Sequence, residues 1–178
     1  EYYFGSWVWG GWNLIPFKKS GYSVTGFDYS EKSIQQGKPY GLNIRQGSIK
    51  SLSEVNDKYD VIILNHVGQP IKREPEEFER WKTGIKEIAK NPNVICKLSG
   101  VTMTDHNWTI ESIKDVFNYV IDAFGVDRCI VASNFPVDKL FGSYDEIYNA
   151  YKKVLEQFSN EENTKLFLSN ANNIYKIK

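Results

Sequence analysis

The chain has 178 residues, of which 41% are hydrophobic and 25% are charged, so a disordered or fibrous protein is excluded and one domain of ordinary size is expected. Its 22 basic residues balance its 22 acidic residues, and no net charge draws the protein to a nucleic acid or to an anionic membrane. We therefore expect a small molecule as the ligand, and neither nucleic acid nor membrane as a partner.

The first part of the chain predicts four strands and two helices. The strands are β-branched or aromatic runs, and the helices end at glycines, which favour the positive φ found after a helix. In chain order we predict a strand at 2–6, a helix at 13–20, a strand at 22–28, a helix at 30–37 and strands at 42–48 and 59–67. The last of these strands is almost continuously apolar, as is typical of a parallel strand buried on both faces.

The second part of the chain predicts longer helices with one apolar face. Pro75 suits the first turn of a helix, and the apolar residues that follow it recur at spacings of three and four. In chain order we predict a helix from 75 to the break at 91–93, a strand at 94–100, a helix from 109 to a stop at 125, a strand at 128–134, a helix at 143–158 and one or two helices over 160–175.

Strands and helices alternate along the whole chain, which is the pattern of parallel βα units. About six strands are predicted, whereas a closed eight-stranded barrel normally needs at least roughly 200 residues. We therefore predict a single α/β domain over residues 1–178. Its parallel sheet has helices on both faces in an open, doubly wound, Rossmann-like arrangement.

The cysteines and the apolar runs of the sequence bear on the cellular compartment in which the protein is expected. Cys96 and Cys129 lie in apolar runs without a C-x-x-C pair, which favours two buried thiols. A disulfide between neighbouring strands, or a redox pair, is the alternative. No apolar run approaches the roughly 18 residues that span a bilayer. We expect a protein of the reducing cytoplasm.

A ligand-binding crevice is predicted in the first part of the chain. Gly10 and Gly11 lie in a turn between a strand and a helix, where backbone N–H groups can approach an anionic or polar ligand. Asp28 ends the second strand, where a carboxylate can accept hydrogen bonds from ribose hydroxyls, and Ser48 ends the third strand at the same edge. Two alternatives stay open: Asp28 caps the next helix, and the glycines form an ordinary tight turn.

The segments GGWNLIPFKKSGYSVTGFDYSEKSI, GSIKSL and KYDVIILNHV resemble the first half of a class I S-adenosylmethionine-dependent methyltransferase. The resemblance covers residues 1–67. It implies S-adenosylmethionine as the cofactor, with Gly10 and Gly11 beside the methionine moiety, Asp28 on the ribose and Ser48 beside the adenine. The chain departs from that family by carrying indoles in the glycine turn, where they would fill the cofactor pocket: Trp7, Trp9 and Trp12.

A second resemblance covers residues 60–178. The segments LNHVGQP, EEFERWKTGIKEIAKNPNVICKLSG, FGVDRCIVASNFPVDKLFGSYDEIYNAYKKVL and LFLSNANNIYKI resemble the C-terminal part of a lactonase-like amidohydrolase. That resemblance implies half of a (β/α)₈ barrel, an active site at the C-terminal ends of its strands and hydrolysis of cyclic esters. His66 matches the histidine that binds metal or polarises the substrate carbonyl, and Asn134 stands where most members have an aspartate that activates water.

The second resemblance predicts an incomplete site. An amide cannot take the proton that an aspartate takes, so Asn134 leaves water activation without a base. The chain has two histidines, whereas a catalytic zinc usually needs three protein ligands, and the early-strand histidine pair of the family is missing. We therefore predict no metal site. Simpler roles remain open: His66 hydrogen-bonds to backbone, and Asn134 makes an Asx turn.

The two resemblances meet at YDVIILNHV, so the sequence predicts a hybrid chain, either a natural or engineered chimera or a truncated fusion. Three function classes follow. The first is a partial or relic hydrolase of lactones or other cyclic esters, with little or no activity. The second is an S-adenosylmethionine-binding module, and the third is a non-catalytic scaffold. We expect His66 and Asn134 to lie near each other at the C-terminal edge of the sheet.

Overall fold

The computed structural model describes residues 2–6, 14–28, 30–46, 59–68, 70 and 73–176, with the backbone alone described at 2–6, 27 and 33. The chain divides into two compact units, Glu1–Leu64 and Asn65–Lys178. Each unit combines parallel strands with helices, which confirms the predicted α/β class. The open, doubly wound arrangement and the single domain stay predictions.

The first unit contains four parallel strands in the order β3-β2-β1-β4. They are β1 (Tyr2–Ser6), β2 (Ser23–Asp28), β3 (Asn43–Gln46) and β4 (Val61–Leu64), with α1 (Ile15–Lys19) after β1 and α2 (Glu31–Gly37) after β2. Leu14 and Ile63 are fully buried in this unit, and the Phe17 ring meets the Tyr22 ring edge-on at 5.8 Å. Among the described residues of this unit, apolar side chains of the predicted helix at 13–20 and of the predicted strands at 22–28 and 59–67 are therefore buried together.

The second unit contains β5 (Val94–Leu98) and β6 (Cys129–Val131), which pair in parallel. Its helices are α3 (Pro75–Ala89), α4 (Ile110–Phe124), α5 (Tyr144–Leu155), α6 (Asn160–Thr164) and, after a π-helical turn at Lys165–Ser169, α7 (Asn170–Tyr175). The apolar stripe predicted for α4 is buried along its whole length: Ile113, Val116, Phe117, Val120, Ile121 and Phe124.

Cys96 and Cys129 lie opposite each other on β5 and β6, and both thiols are free and buried. Burial raises the pKa of Cys129 to about 12 and that of Cys96 well above its ordinary value. Both thiols therefore stay protonated and unreactive at neutral pH, since the thiolate is the reactive form. This confirms the prediction of buried thiols over a disulfide or a redox pair.

No helix among the described residues has the length and the apolar character needed to cross a membrane.

Candidate active site

β4 ends earlier than predicted because the chain turns sharply after it. β4 stops at Leu64, and His66 and Val67 then take φ values of 54° and 49°, a left-handed conformation that is costly for a β-branched residue. The Trp81 indole Nε1 donates a hydrogen bond of 2.9 Å to the Val67 carbonyl, and the Gly68 amide donates one of 3.2 Å to the Asn65 carbonyl. These bonds hold the turn that carries His66.

The His66 imidazole contacts a buried serine at its Nδ1. Its Nδ1 lies 3.0 Å from the Ser99 Oγ, which follows the end of β5 and is almost fully buried. A buried hydroxyl needs an acceptor for its proton, and a neutral imidazole offers one ring nitrogen as acceptor. We therefore assign the Ser99 hydroxyl as the donor to Nδ1, which leaves the imidazole proton on Nε2.

His66 is uncharged at neutral pH. Burial and, to a smaller extent, the positive charge of Lys97 lower the pKa of His66 from 6.5 to about 4. A neutral imidazole with its proton on Nε2 can donate a hydrogen bond to a carbonyl oxygen without carrying a charge of its own.

The backbone at Gly100 lies directly against the His66 ring. Gly100 has a φ of 64°, and a Cβ at this position would lie 2.5 Å from the His66 Nδ1 and 2.8 Å from its Cγ. Glycine is therefore required at position 100 for its conformation and for the close approach of the imidazole.

Asn134 lies in a second polar cluster, around the carboxylate of Asp138. Asp138 is fully buried and accepts hydrogen bonds from the Thr102 hydroxyl (2.7 Å) and from the Asn134 backbone N–H (3.2 Å). The Asn134 Nδ2 lies 3.4 Å from the Asp138 Oδ1 and 2.6 Å from the Met103 Sδ. The predicted Asx turn at Asn134 is absent, since the residue two positions on is Pro136, which has no N–H to donate.

One short segment contacts both predicted catalytic residues. Its first residues, Ser99 and Gly100, contact the His66 ring, and Thr102 and Met103 contact the cluster that holds Asn134. Because β5 and β6 are parallel, the residues that follow them leave the same edge of the pair. Ser99, Gly100 and Asp138 were not identified from the sequence. The signal available for Ser99 was its place at the C-terminal end of a parallel strand, where ligands bind in α/β folds.

Of the four residues predicted to bind a cofactor, the structure describes Asp28. Asp28 ends β2 as predicted and is buried, but its Oδ1 accepts a hydrogen bond of 2.8 Å from the Ser30 N–H. That bond is an Asx-type turn just before α2, which begins at Glu31 and so one or two residues later than the helix that Asp28 was expected to cap. Gly10, Gly11 and Ser48 lie outside the described residues, as do the three tryptophans of the glycine turn.

The described side chains do not amount to a metal site. Nowhere in the part of the chain that the structure describes do three His, Cys, Asp or Glu residues come together as they would around a metal ion. His66 also has its Nδ1 engaged by Ser99. The described residues therefore do not fit a three-ligand catalytic zinc.

His66 follows the end of β4 and Asn134 follows the end of β6, and the ends of parallel strands are where α/β proteins bind their ligands. Comparison with known proteins shows to which protein family the chain belongs. The sequence profile of the Amidohydrolase family matches residues 36–177, and the chain belongs to this family.

Curated relatives support this assignment at the level of sequence. The chain is 46% identical over 145 residues to the uncharacterized protein y4mH of Sinorhizobium fredii, an alignment that covers 80% of this chain and 48% of that protein. It is 31% identical over 106 residues to an L-fucono-1,5-lactonase of Burkholderia multivorans, covering 53% of this chain and 36% of that enzyme. The chain spans about half the length, or less, of the curated relatives it matches.

Solved structures show the same fold. The chain is similar to an amidohydrolase from Burkholderia multivorans crystallised with bound HEPES, with a TM-score of 0.67 at 22% identity, over 92% of this chain and 56% of that chain. A second crystal form of that amidohydrolase, with bound zinc, gives a TM-score of 0.66 at 21% identity, over 93% of this chain and 57% of that chain.

The prediction of a hybrid chain is not supported. The family match begins at residue 36, and the structural similarity covers 92% of the chain, so both include much of the segment assigned to a methyltransferase. None of the comparisons supports a methyltransferase half. The two families share parallel βα units, and a glycine-bearing turn followed by an acid at a strand end is too general a pattern to tell them apart.

Proposed function

We propose that this chain carries part of a site for the hydrolysis of lactones or related cyclic esters, and that it has little turnover of its own. The observation that carries the proposal is the neutral His66 at the end of β4, held by Ser99. Two of the curated relatives are L-fucono-1,5-lactonases, which favours a sugar lactone as the substrate class.

The role of His66 follows from its protonation state. Water attacks the lactone carbonyl, negative charge develops on the carbonyl oxygen, and the ring opens to a hydroxy acid. A donor that faces this oxygen stabilises the developing charge in the transition state. The neutral His66, with its proton on Nε2, is such a donor, and Ser99 keeps the proton on that nitrogen.

The low turnover follows from Asn134. The attacking water must lose a proton, and general-base catalysis typically contributes 10²–10⁴-fold to such a step. An amide oxygen can accept a hydrogen bond from water but cannot take its proton near neutral pH. The proposal uses no metal, since the described residues do not fit a three-ligand site.

The test combines binding and turnover on a panel of 1,4- and 1,5-sugar lactones. We expect at least one lactone to bind, His66→Gln to weaken its binding and His106→Gln to leave it unchanged. His106 is the matched control because it is the other histidine of the chain, is exposed and stacks on the Phe141 ring, with 4.4 Å between the ring centroids. Turnover should stay near the rate without protein, with or without added zinc or manganese.

Two results would contradict the proposal. Failure of every lactone to bind would reject the substrate class. Fast hydrolysis that depends on His66 would reject the low turnover, and would show that a base other than Asn134 activates the water.

A further inference from the structure

Asp138 is a buried carboxylate without a described cation. Its side chain has no solvent exposure, and none of the ion pairs formed by the described residues includes it. A buried carboxylate is costly unless hydrogen bonds replace its water. Here the donors are neutral: the Thr102 hydroxyl, the Asn134 backbone N–H and the Asn134 side-chain amide.

The carboxylate determines which way the Asn134 amide faces. The Asn134 Nδ2 meets two acceptors, the Asp138 Oδ1 and the Met103 Sδ. In the flipped orientation the amide oxygen would lie against the carboxylate oxygen, and two acceptors would repel each other. The amide nitrogen therefore faces Asp138, and the amide oxygen faces the opposite side.

We propose that Asp138 is a positioning residue for lactone hydrolysis: its buried carboxylate binds the Asn134 amide nitrogen, so that the Asn134 oxygen accepts a hydrogen bond from the attacking water. This inference rests on the proposed function. It gives Asn134 a defined part, orienting the water without taking its proton, and it explains why a fully buried acid lies four residues after Asn134.

The contact between Asn134 and Asp138 determines what an aspartate at position 134 can do. An aspartate at position 134 would place a second carboxylate close to Asp138, and two adjacent carboxylates cannot both ionise freely. Among the described residues, the charge of Asp138 acts on the phenols of Tyr148 and Tyr151. Burial raises the pKa of both phenols, followed by Tyr144 and then Asp138 for Tyr148 and by Asp138 for Tyr151, so both stay neutral. Asn134→Asp alone should therefore gain activity only at raised pH.

The test exchanges the two side chains. In the double variant Asn134→Asp, Asp138→Asn, one carboxylate lies at position 134 and an amide donor lies behind it. We expect this variant to hydrolyse a bound lactone at pH 7 at least ten times faster than Asn134→Asp alone, whose rate should approach it only as the pH rises. Asn173→Asp, which adds a carboxylate to an exposed position on α7, should match the parent.

Equal rates for the single and the double variant at every pH would overturn the proposal. A readout that needs no substrate separates this outcome from failure of the proposed function. In the parent, the side-chain NH₂ of Asn134 should exchange slowly with solvent, and Asp138→Asn should make it exchange faster while the fold is kept. Fast exchange of this NH₂ in the parent would overturn the positioning role even if no lactone is bound. This measurement uses the parent protein alone, so it does not depend on whether a variant folds.

Discussion

At the scale of single residues, Gly100 combines two constraints that can be separated. Its φ of 64° disfavours any side chain, and a Cβ would also meet the His66 ring. We expect Gly100→Ala to lower the unfolding free energy by more than the roughly 1–3 kcal/mol typical of a left-handed non-glycine residue, and to displace the imidazole.

The matched control for this prediction is Gly41→Ala. Gly41 has nearly the same backbone conformation as Gly100, with φ 62° and ψ 31° against φ 64° and ψ 17°. A Cβ at position 41 would meet only the flexible end of the Lys18 side chain, so the backbone strain remains without a rigid contact. Urea unfolding of both variants measures the difference. Equal losses at the two positions would show that His66 does not pack against the backbone at 100.

His66 also makes stability depend on pH. Its pKa is about 4 in the folded chain and near 6.5 in the unfolded chain, so between these values the unfolded chain binds more protons. The contribution of neutral His66 to the unfolding free energy is complete above pH 6.5 and is lost as the pH falls toward 4. Urea unfolding from pH 4 to 8 should show this slope in the parent and in His106→Gln, and a flatter one in His66→Gln. The same slope in both variants would contradict the lowered pKa.

At the scale of secondary-structure elements, Arg128 joins the C-terminal ends of two helices. Its guanidinium donates to the Ala89 carbonyl at the end of α3 (3.0 Å), to the Asn91 carbonyl (2.8 Å) and to the Phe124 carbonyl at the end of α4 (2.9 Å). The last carbonyls of a helix have no partner within the helix, and a cation there is favoured by the helix dipole. With a longer contact of 3.4 Å to the Val94 carbonyl, Arg128 reaches four carbonyls with one side chain.

We expect Arg128→Lys to lower the unfolding free energy by about 1–3 kcal/mol, because an ammonium cannot reach three carbonyls in the fixed geometry of a guanidinium. Arg80→Lys on α3 is the control, since Arg80 makes exposed ion pairs with Glu76 and Glu77 that should contribute little. Calorimetric melting compares the two. A larger loss for Arg80→Lys than for Arg128→Lys would contradict the account of Arg128.

Elements with a periodic pattern could be predicted from the sequence, and tertiary contacts could not. The buried stripe of α4 and the break at 91–93 follow from local spacing, and both agree with the structure. The end of β4 was placed too late because residues 59–67 stay mostly apolar, whereas the turn after Leu64 is held by Trp81 of α3. A bond between residues this far apart in the chain leaves no local signal.

The distinction between local patterns and contacts distant in the chain also explains which residues of the candidate site could be predicted. His66 and Asn134 could be named because they follow strands and match a family motif. Ser99 and Asp138 are recognised by their partners, His66 and Thr102, which lie more than thirty positions away in the chain. The resemblance of residues 1–67 to a methyltransferase finds no support, because a βα pattern with a glycine-bearing turn is common to many α/β families.

At the scale of the whole molecule, the chain is predicted to unfold as one domain although it divides into two compact units at Leu64 and Asn65. Ile63 and Leu98 are fully buried, one in each unit. We expect Ile63→Ala and Leu98→Ala each to cost about 2–5 kcal/mol and to lower the same single melting transition. Two transitions in calorimetry, each lowered by one of the variants, would contradict the single domain.

The central claim is a neutral His66 whose proton lies on Nε2 because the Ser99 hydroxyl binds Nδ1, and nitrogen-15 NMR of the two imidazoles during a pH titration tests it directly. The chemical shifts of the ring nitrogens report the tautomer and the pKa together. We predict a proton on Nε2 of His66, a pKa near 4, and a change of both on Ser99→Ala. A pKa near 6.5 for His66 in the parent, with no response to Ser99→Ala, would contradict the account.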